Sequence, residues 1–94
     1  MQLENIENNI EDRAQILKAL SNENRLKIIC ALYRGEKSVG ALENIIGLSQ
    51  SALSQHLARL RRDELVKTRR EAQTVYYSMH SPQTEPLIDA LCQL

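Results

Sequence analysis

The side chains of this sequence that could do chemistry fall into two groups: a run of hydroxyl, amide and guanidinium groups between Ser49 and Thr74, and two thiols, Cys30 and Cys92. In the first group, Leu53, Leu57 and Leu60 recur at helical spacing, which predicts a helix capped by Ser49 and reaching about Arg62. At ~100° per residue the leucines form one narrow stripe. Ser51, Gln55, Ala58, Arg59 and Arg62 lie on the opposite side, with Ser54 on its shoulder. A helix that is merely solvated carries Glu and Lys there; Ser, Gln and Arg are the types that read base edges and phosphates. No carboxylate falls between Glu43 and Asp63, so nothing on this helix repels a polyanion. Residues 59–70 hold six bases (Arg59, Arg61, Arg62, Lys67, Arg69, Arg70) against two acids (Asp63, Glu64), a local charge of +4. The chemistry is non-covalent recognition of double-stranded nucleic acid. The bland alternative is a solvated, charged helix end.

The thiols have simpler readings. Cys30 follows Leu26 by four residues on an apolar helix and suits a small core side chain, whereas Cys92 suits the surface of a chain terminus. Reactivity requires thiolate, and Arg25 and Lys27 precede Cys30 on its helix. His56 lies ~60° off the leucine stripe, where packing, capping and DNA contact are all open. There is no glycine-rich phosphate loop, no Cys-x-x-Cys, no metal-ligand cluster and no Ser/His/Asp set, so no enzyme class, metal site or cofactor is expected.

Several elements must position these groups. Ile6, Ile10, Ala14, Leu17 and Leu20 predict an amphipathic helix over about 4–20. Ser21 or Asn22 caps a second helix running to about Arg34. Its Leu26, Ile28, Ile29, Cys30, Leu32 and Tyr33 leave little polar face, so it is expected to be central, with Gly35 ending it. Ser38 caps a short third helix with Ala41, Leu42 and Ile45 inward, and Gly47 suits the left-handed residue past its end. The short glycine-containing interval before the fourth helix is the signature of a helix-turn-helix over 38–62. The period then changes to two: Leu65–Arg69 and Thr74–Met79 predict two strands around the tip Arg70-Glu71-Ala72-Gln73, a wing over 64–79. Tyr76 and Tyr77 point to opposite faces, so at least one packs the wing. Leu87, Ile88, Leu91 and Leu94 predict a last short helix, with Pro82 or Pro86 in its first turn.

The expected fold is therefore mainly α with a β-hairpin wing, a winged helix-turn-helix of order α-α-α-α-β-β-α in one domain over 1–94. The candidate DNA-binding set is Ser49, Gln50, Ser51, Ser54, Gln55, His56, Arg59, Arg62, Arg69, Arg70, Gln73 and Thr74, with Arg69 and Arg70 on the wing meeting phosphates or the minor groove.

Composition supports one globular domain. Hydrophobic residues make up 43% and charged residues 26%, and 12 bases balance 12 acids. The core must be aliphatic, since there is no Trp, no Phe and only three Tyr. A chain this short buries only ~60–65% of its unfolded surface, and association is a usual remedy. Residues 1–12 carry four acids and no base, and residues 81–94 two acids and no base. These acidic, apolar-striped end helices, 1–20 and 81–94, are the expected homodimer elements, kept off DNA by their charge. No apolar run approaches the ~18–20 residues needed to span a bilayer, and the acidic, amide-rich start does not read as a signal peptide. No membrane partner and a cytoplasmic location are expected.

The sequence resembles ArsR-type winged-helix repressors, most clearly from Ala19 to Tyr77. The resemblance is carried by Leu20-Ser21-Asn22-Glu23-Asn24-Arg25-Leu26, Leu48-Ser49-Gln50-Ser51-Ala52-Leu53-Ser54-Gln55-His56-Leu57, Leu60-Arg61-Arg62-Asp63-Glu64-Leu65-Val66 and Arg69-Arg70-Glu71-Ala72-Gln73-Thr74-Val75-Tyr76-Tyr77. It implies a homodimer, joined through its first and last helices, that occupies operator DNA until an inducer binds. Many members sense metals, but Ser38-Val39-Gly40-Ala41-Leu42 lacks the thiols often found there, and one His with one Asp makes no tetrahedral set. The wording is closer to a subgroup of redox and persulfide sensors and regulators of virulence, biofilm or nodulation. In that subgroup the resemblance implies sensor thiols in the second and last helices. Cys30 matches the first, and Cys92 falls about one turn, ~5.4 Å, early. A disulfide needs Cα atoms within ~7 Å, whereas a polysulfide bridge spans more. The inducer implied is an oxidant or reactive sulfur. The alternatives are a metal-responsive repressor and a winged-helix module that binds protein rather than DNA.

Overall fold

The structure, a computed structural model, describes residues 3–80 and 84–94, and for residues 3–8 the backbone alone. Helix α1 (Leu3–Leu20) leads into α2 (Glu23–Tyr33) through a tight corner. Asn22 caps α2, its side chain accepting from the Arg25 N–H at 3.0 Å. The Arg25 guanidinium turns back and donates to the carbonyls of Ala19 (2.6 Å) and Lys18 (3.3 Å) at the end of α1, the latter also accepting from the Ser21 N–H and hydroxyl. The apolar residues of α2 bury Ile28, Ile29 and Leu32, and this helix packs against α1, β3 and the three later helices.

Beyond Gly35 the chain makes a short strand, β1 (Lys37–Ser38), before α3 (Val39–Ile46). Ser38 ends the strand and caps the helix, accepting from Ala41 N–H at 3.1 Å. Gly47, at φ 81°, closes α3 by donating to the Glu43 carbonyl, which requires the left-handed region that glycine enters freely. Ser49 then caps α4 (Gln50–Arg62). The hairpin β2 (Val66–Glu71) and β3 (Thr74–Met79) follows, and α5 (Glu85–Gln93) closes the chain with Pro86 in its first turn. Pro82 lies outside the described residues.

The sheet order is β1-β3-β2, all antiparallel, with Lys37 opposite Tyr77 and Ser38 opposite Tyr76. The expected order lacked β1: two residues show no period, and the strand exists because β3 offers its free edge. The hairpin is also tighter than expected. Arg70 and Glu71 continue β2, Glu71 pairs with Thr74, and the turn is Ala72-Gln73 with Ala72 at φ 55°.

The core is wholly aliphatic, with Ile28, Ile29, Leu42, Leu53, Leu57, Leu60, Leu65 and Ile88 filling its centre. Tyr77 packs on this cluster from β3. Among the described side chains, helix α1 joins it through its last turns: Ala19 and Leu20 are buried and Ile16 packs beside them, while Ile10 and Leu17 are 51% and 55% exposed. Ile45, expected inward, faces solvent at 54% exposure.

Candidate nucleic-acid interface

Helix α4 buries Leu53, Leu57 and Leu60 and exposes the face opposite them. Gln50, Ser51, Ser54, Gln55, Ala58 and Arg62 are exposed on it, as is Arg61 on its flank. Ser49 is exposed too, although its hydroxyl accepts from Ala52 N–H at 3.3 Å and lies 3.4 Å from that of Ser51. His56 is half-buried beside the leucine stripe. Because the buried residues of α4 are one stripe of three leucines, the helix is anchored with Gln50, Ser51, Ser54, Gln55, Ala58 and Arg62 left exposed.

Helix and wing are joined rigidly. Leu65 N–H donates to the Leu60 carbonyl and His80 N–H to the Leu65 carbonyl, both at 3.0 Å, so the end of α4 and both strands of the wing meet at one buried residue. The intervening turn places Glu64 at φ 60°.

The guanidinium groups divide into two kinds. Arg59 is half-buried and donates to Asp63 at 2.8 Å, so its charge is compensated along its own helix. Arg69 is committed more fully. Its Nε and Nη2 donate to the two oxygens of Glu36 at 2.8 and 2.7 Å, and its Nη1 donates to Glu71 at 2.8 Å. Its plane also lies 4.3 Å above the Tyr76 ring. The bidentate Arg69 contact holds the Glu36 carboxyl below the usual glutamate range, and the two carboxylates raise the Arg69 guanidinium further. Tyr76 thus serves the wing surface and Tyr77 the core. Arg61, Arg62, Lys67 and Arg70 are exposed and enter no ion pair among the described residues. Gln73 and Thr74 are exposed at the wing tip beside them.

The thiols lie away from this face. Cys30 of α2 and Cys92 of α5 are joined as a disulfide with Cα atoms 5.6 Å apart, within the usual range for that bond. The offset of one turn does not separate them, because Cys92 follows the buried Ile88 by four residues and so shares its α2-facing side. Next to the bridge, the Tyr33 hydroxyl donates to Asp89 at 2.5 Å, and Gln93 donates to the same carboxylate oxygen at 3.5 Å. The bond to Asp89 raises the Tyr33 hydroxyl above its ordinary value, with burial and the charges of Asp89 and Glu85 adding to it. The roles of Glu36 and Asp89 as partners of Arg69 and Tyr33 were not legible in the sequence: each acts on a residue 33 or 56 positions away, and neither pairing has a local signature.

A helix-turn-helix whose second helix presents an uncommitted polar face, tied at its end to a β-hairpin wing with exposed cations, defines a DNA-binding winged-helix transcriptional regulator. Comparison with known proteins gives the family. The description "Bacterial regulatory protein, arsR family" matches residues 22–68. The chain is 51% identical over 94 residues to the transcriptional activator HlyU of Vibrio cholerae serotype O1, spanning 100% of this chain and 87% of that one. The solved structure of reduced HlyU from the same species superposes with a TM-score of 0.90 at 50% identity, covering 97% of this chain and 96% of that one. The biofilm growth-associated repressor of Xylella fastidiosa is 40% identical over 91 residues, 97% of this chain and 80% of its own. The homodimeric winged helix-turn-helix DNA-binding domain of Mb0332 from Mycobacterium bovis superposes with a TM-score of 0.84 at 29% identity, covering 96% of this chain and 83% of that one. The chain belongs to the ArsR family of bacterial regulators, and it is a transcriptional regulator rather than an enzyme. Among the described residues no helix is long and apolar enough to cross a membrane.

Proposed function

We propose that this protein is a dimeric repressor whose hold on operator DNA is released when Cys30 and Cys92 become bridged. The observation that carries the switch is the pairing of these two thiols across α2, the helix at the centre of the fold, and α5 at its edge. In the reaction, the Cys30 thiolate attacks a sulfur of a polysulfide or a low-molecular-weight disulfide and displaces one half of it as thiolate. Cys92 thiolate then displaces the other half and closes the bridge. The two thiol protons go to solvent, and the oxidant takes two electrons.

The DNA face is α4 through Ser49, Gln50, Ser51, Ser54, Gln55, His56, Arg59 and Arg62, and the wing through Arg70, Gln73 and Thr74. Exposure of most of this set, and the absence of carboxylate between Glu43 and Asp63, support it. Dimerisation through α1 and α5 is supported by apolar side chains that the single chain leaves uncovered: Ile10, Leu17, Leu87 and Leu94. The homodimeric Mb0332 domain is a precedent for such assembly. Two recognition helices must sit ~34–36 Å apart to enter successive major grooves, so a small movement of α5 against α2 weakens binding. Such a protein works on chromosomal DNA in the cytoplasm.

The test is operator affinity by fluorescence anisotropy on the protein's own promoter DNA, at one salt concentration, for reduced and polysulfide-treated protein. Affinity should fall on treatment and return with reductant, and Cys30→Ser should abolish the response. Equally tight binding in both states would remove the thiol switch and leave the DNA-binding regulator intact.

A further inference from the structure

We infer that Tyr33 and Asp89 form a positioning clip that sets the slide of α5 along α2 while Cys30 and Cys92 are still thiols, leaving its rotation to be fixed when the bridge closes. The inference rests on the thiol-bridge proposal above and names the residues that make the bridge easy to close.

The geometry is an antiparallel ladder. On α2, Tyr33 follows Cys30 by three residues; on α5, Asp89 precedes Cys92 by three. Because the two helices run in opposite directions, both pairs lie side by side, one turn apart. One link would leave α5 free to rotate about it. Two links at successive turns fix both its rotation and its slide.

The need for such a clip follows from what else attaches α5. The helix is nine residues long, too short to be stable by itself. Its apolar contacts come from Ile88, which is buried, and from Leu91 and Cys92 at the edge of the core. Apolar contact is non-directional and tolerates sliding. Among the described residues, the Tyr33–Asp89 bond is the one hydrogen bond between α2 and α5, and neither its donor nor its acceptor is a sulfur. Gln93 holds the Asp89 carboxylate from the next turn.

Clip and bridge therefore assist each other, and removal of the clip must lower the tendency of the thiols to pair. The balanced reaction for measuring this is two protein thiols plus one glutathione disulfide giving the protein disulfide and two glutathiones. Full-length wild-type protein and Tyr33→Phe would be equilibrated over a range of glutathione ratios at pH 7, quenched with acid, alkylated and weighed. Tyr33→Phe should lower the equilibrium constant about two- to tenfold, the range one hydrogen bond supplies. Simple loss of fold stability does not move this constant, because both redox forms remain folded; circular dichroism verifies that. Asp89→Ala removes the acceptor at an exposed position and should give a similar fall. The double variant should fall no further than either single one.

An unchanged constant in both single variants, or effects that add fully in the double, would overturn the clip while leaving the switch. A wild-type protein that forms no intramolecular bridge at any ratio would overturn the switch and the clip with it.

Discussion

The division of the guanidinium groups makes a sharp prediction about Arg69 and Arg70, neighbours on β2 with different surroundings. Arg70 is exposed and enters no ion pair among the described residues, whereas Arg69 is held by Glu36, Glu71 and the Tyr76 ring. Each phosphate neutralised by a side chain contributes about 0.9 to the slope of log affinity against log salt. Replacing Arg70 by Ala in both wings of a dimer should therefore lower that slope by about 1.8. Between 50 and 200 mM salt, the reduced wild-type protein should lose roughly 12-fold more affinity than Arg70→Ala. Arg69→Ala should behave differently. It frees two carboxylates at the wing and unties it from the α2–β1 corner, so affinity should fall at every salt concentration with less than half the slope change of Arg70→Ala. The assay is an anisotropy titration on promoter DNA at four salt concentrations with reduced protein. Equal slope changes for the two variants would show that Arg69 leaves its carboxylates for a phosphate on binding, and would refute the expectation that it stays paired with Glu36 and Glu71.

Further expectations concern stability. The Cys30–Cys92 bridge spans 62 residues of sequence. Loop-closure entropy then predicts a stabilisation of roughly 4 kcal/mol, and a melting temperature about 20 °C lower on reduction for a chain of this size; a shift below about 5 °C in a thermal melt would refute the entropic account. Leu57→Ala, at a site 1% exposed, should cost about 2–5 kcal/mol in urea unfolding. Ile45→Ala, at 54% exposure, should stay within about 0.5 kcal/mol. Glu36 is held below its ordinary range, so its contribution to the wing is present above that range and lost as pH falls through the lowered folded value. Hydrogen-exchange protection of the β1–β3 amides should therefore decline at acid pH in wild type and be flat over the same window in Glu36→Gln.

Much of the architecture was legible locally. Asn22, Ser38 and Ser49 each cap a helix through a hydrogen bond to a backbone N–H three residues on, and Gly47 takes the left-handed position that ends α3. The stripe Leu53-Leu57-Leu60 alone determined which face of α4 is left to solvent, because 3.6 residues per turn leaves no second choice once the apolar side is buried. Even the change from helical to alternating period at Leu65 marked the wing within a residue of β2.

Contacts across long stretches of chain were decided only by tertiary structure. The charge of Arg69 is visible in the sequence, while its pairing with Glu36, 33 residues away, is not. The sequence supplied Cys30, Cys92, Tyr33 and Asp89 as separate residues on two amphipathic helices. Only the packing of Ile88 into the core turned those helices face to face and set the thiols within bonding reach. Local propensity and period act within one or two turns; charge compensation, thiol pairing and the apolar faces left over for a partner depend on which surfaces the folded core brings together.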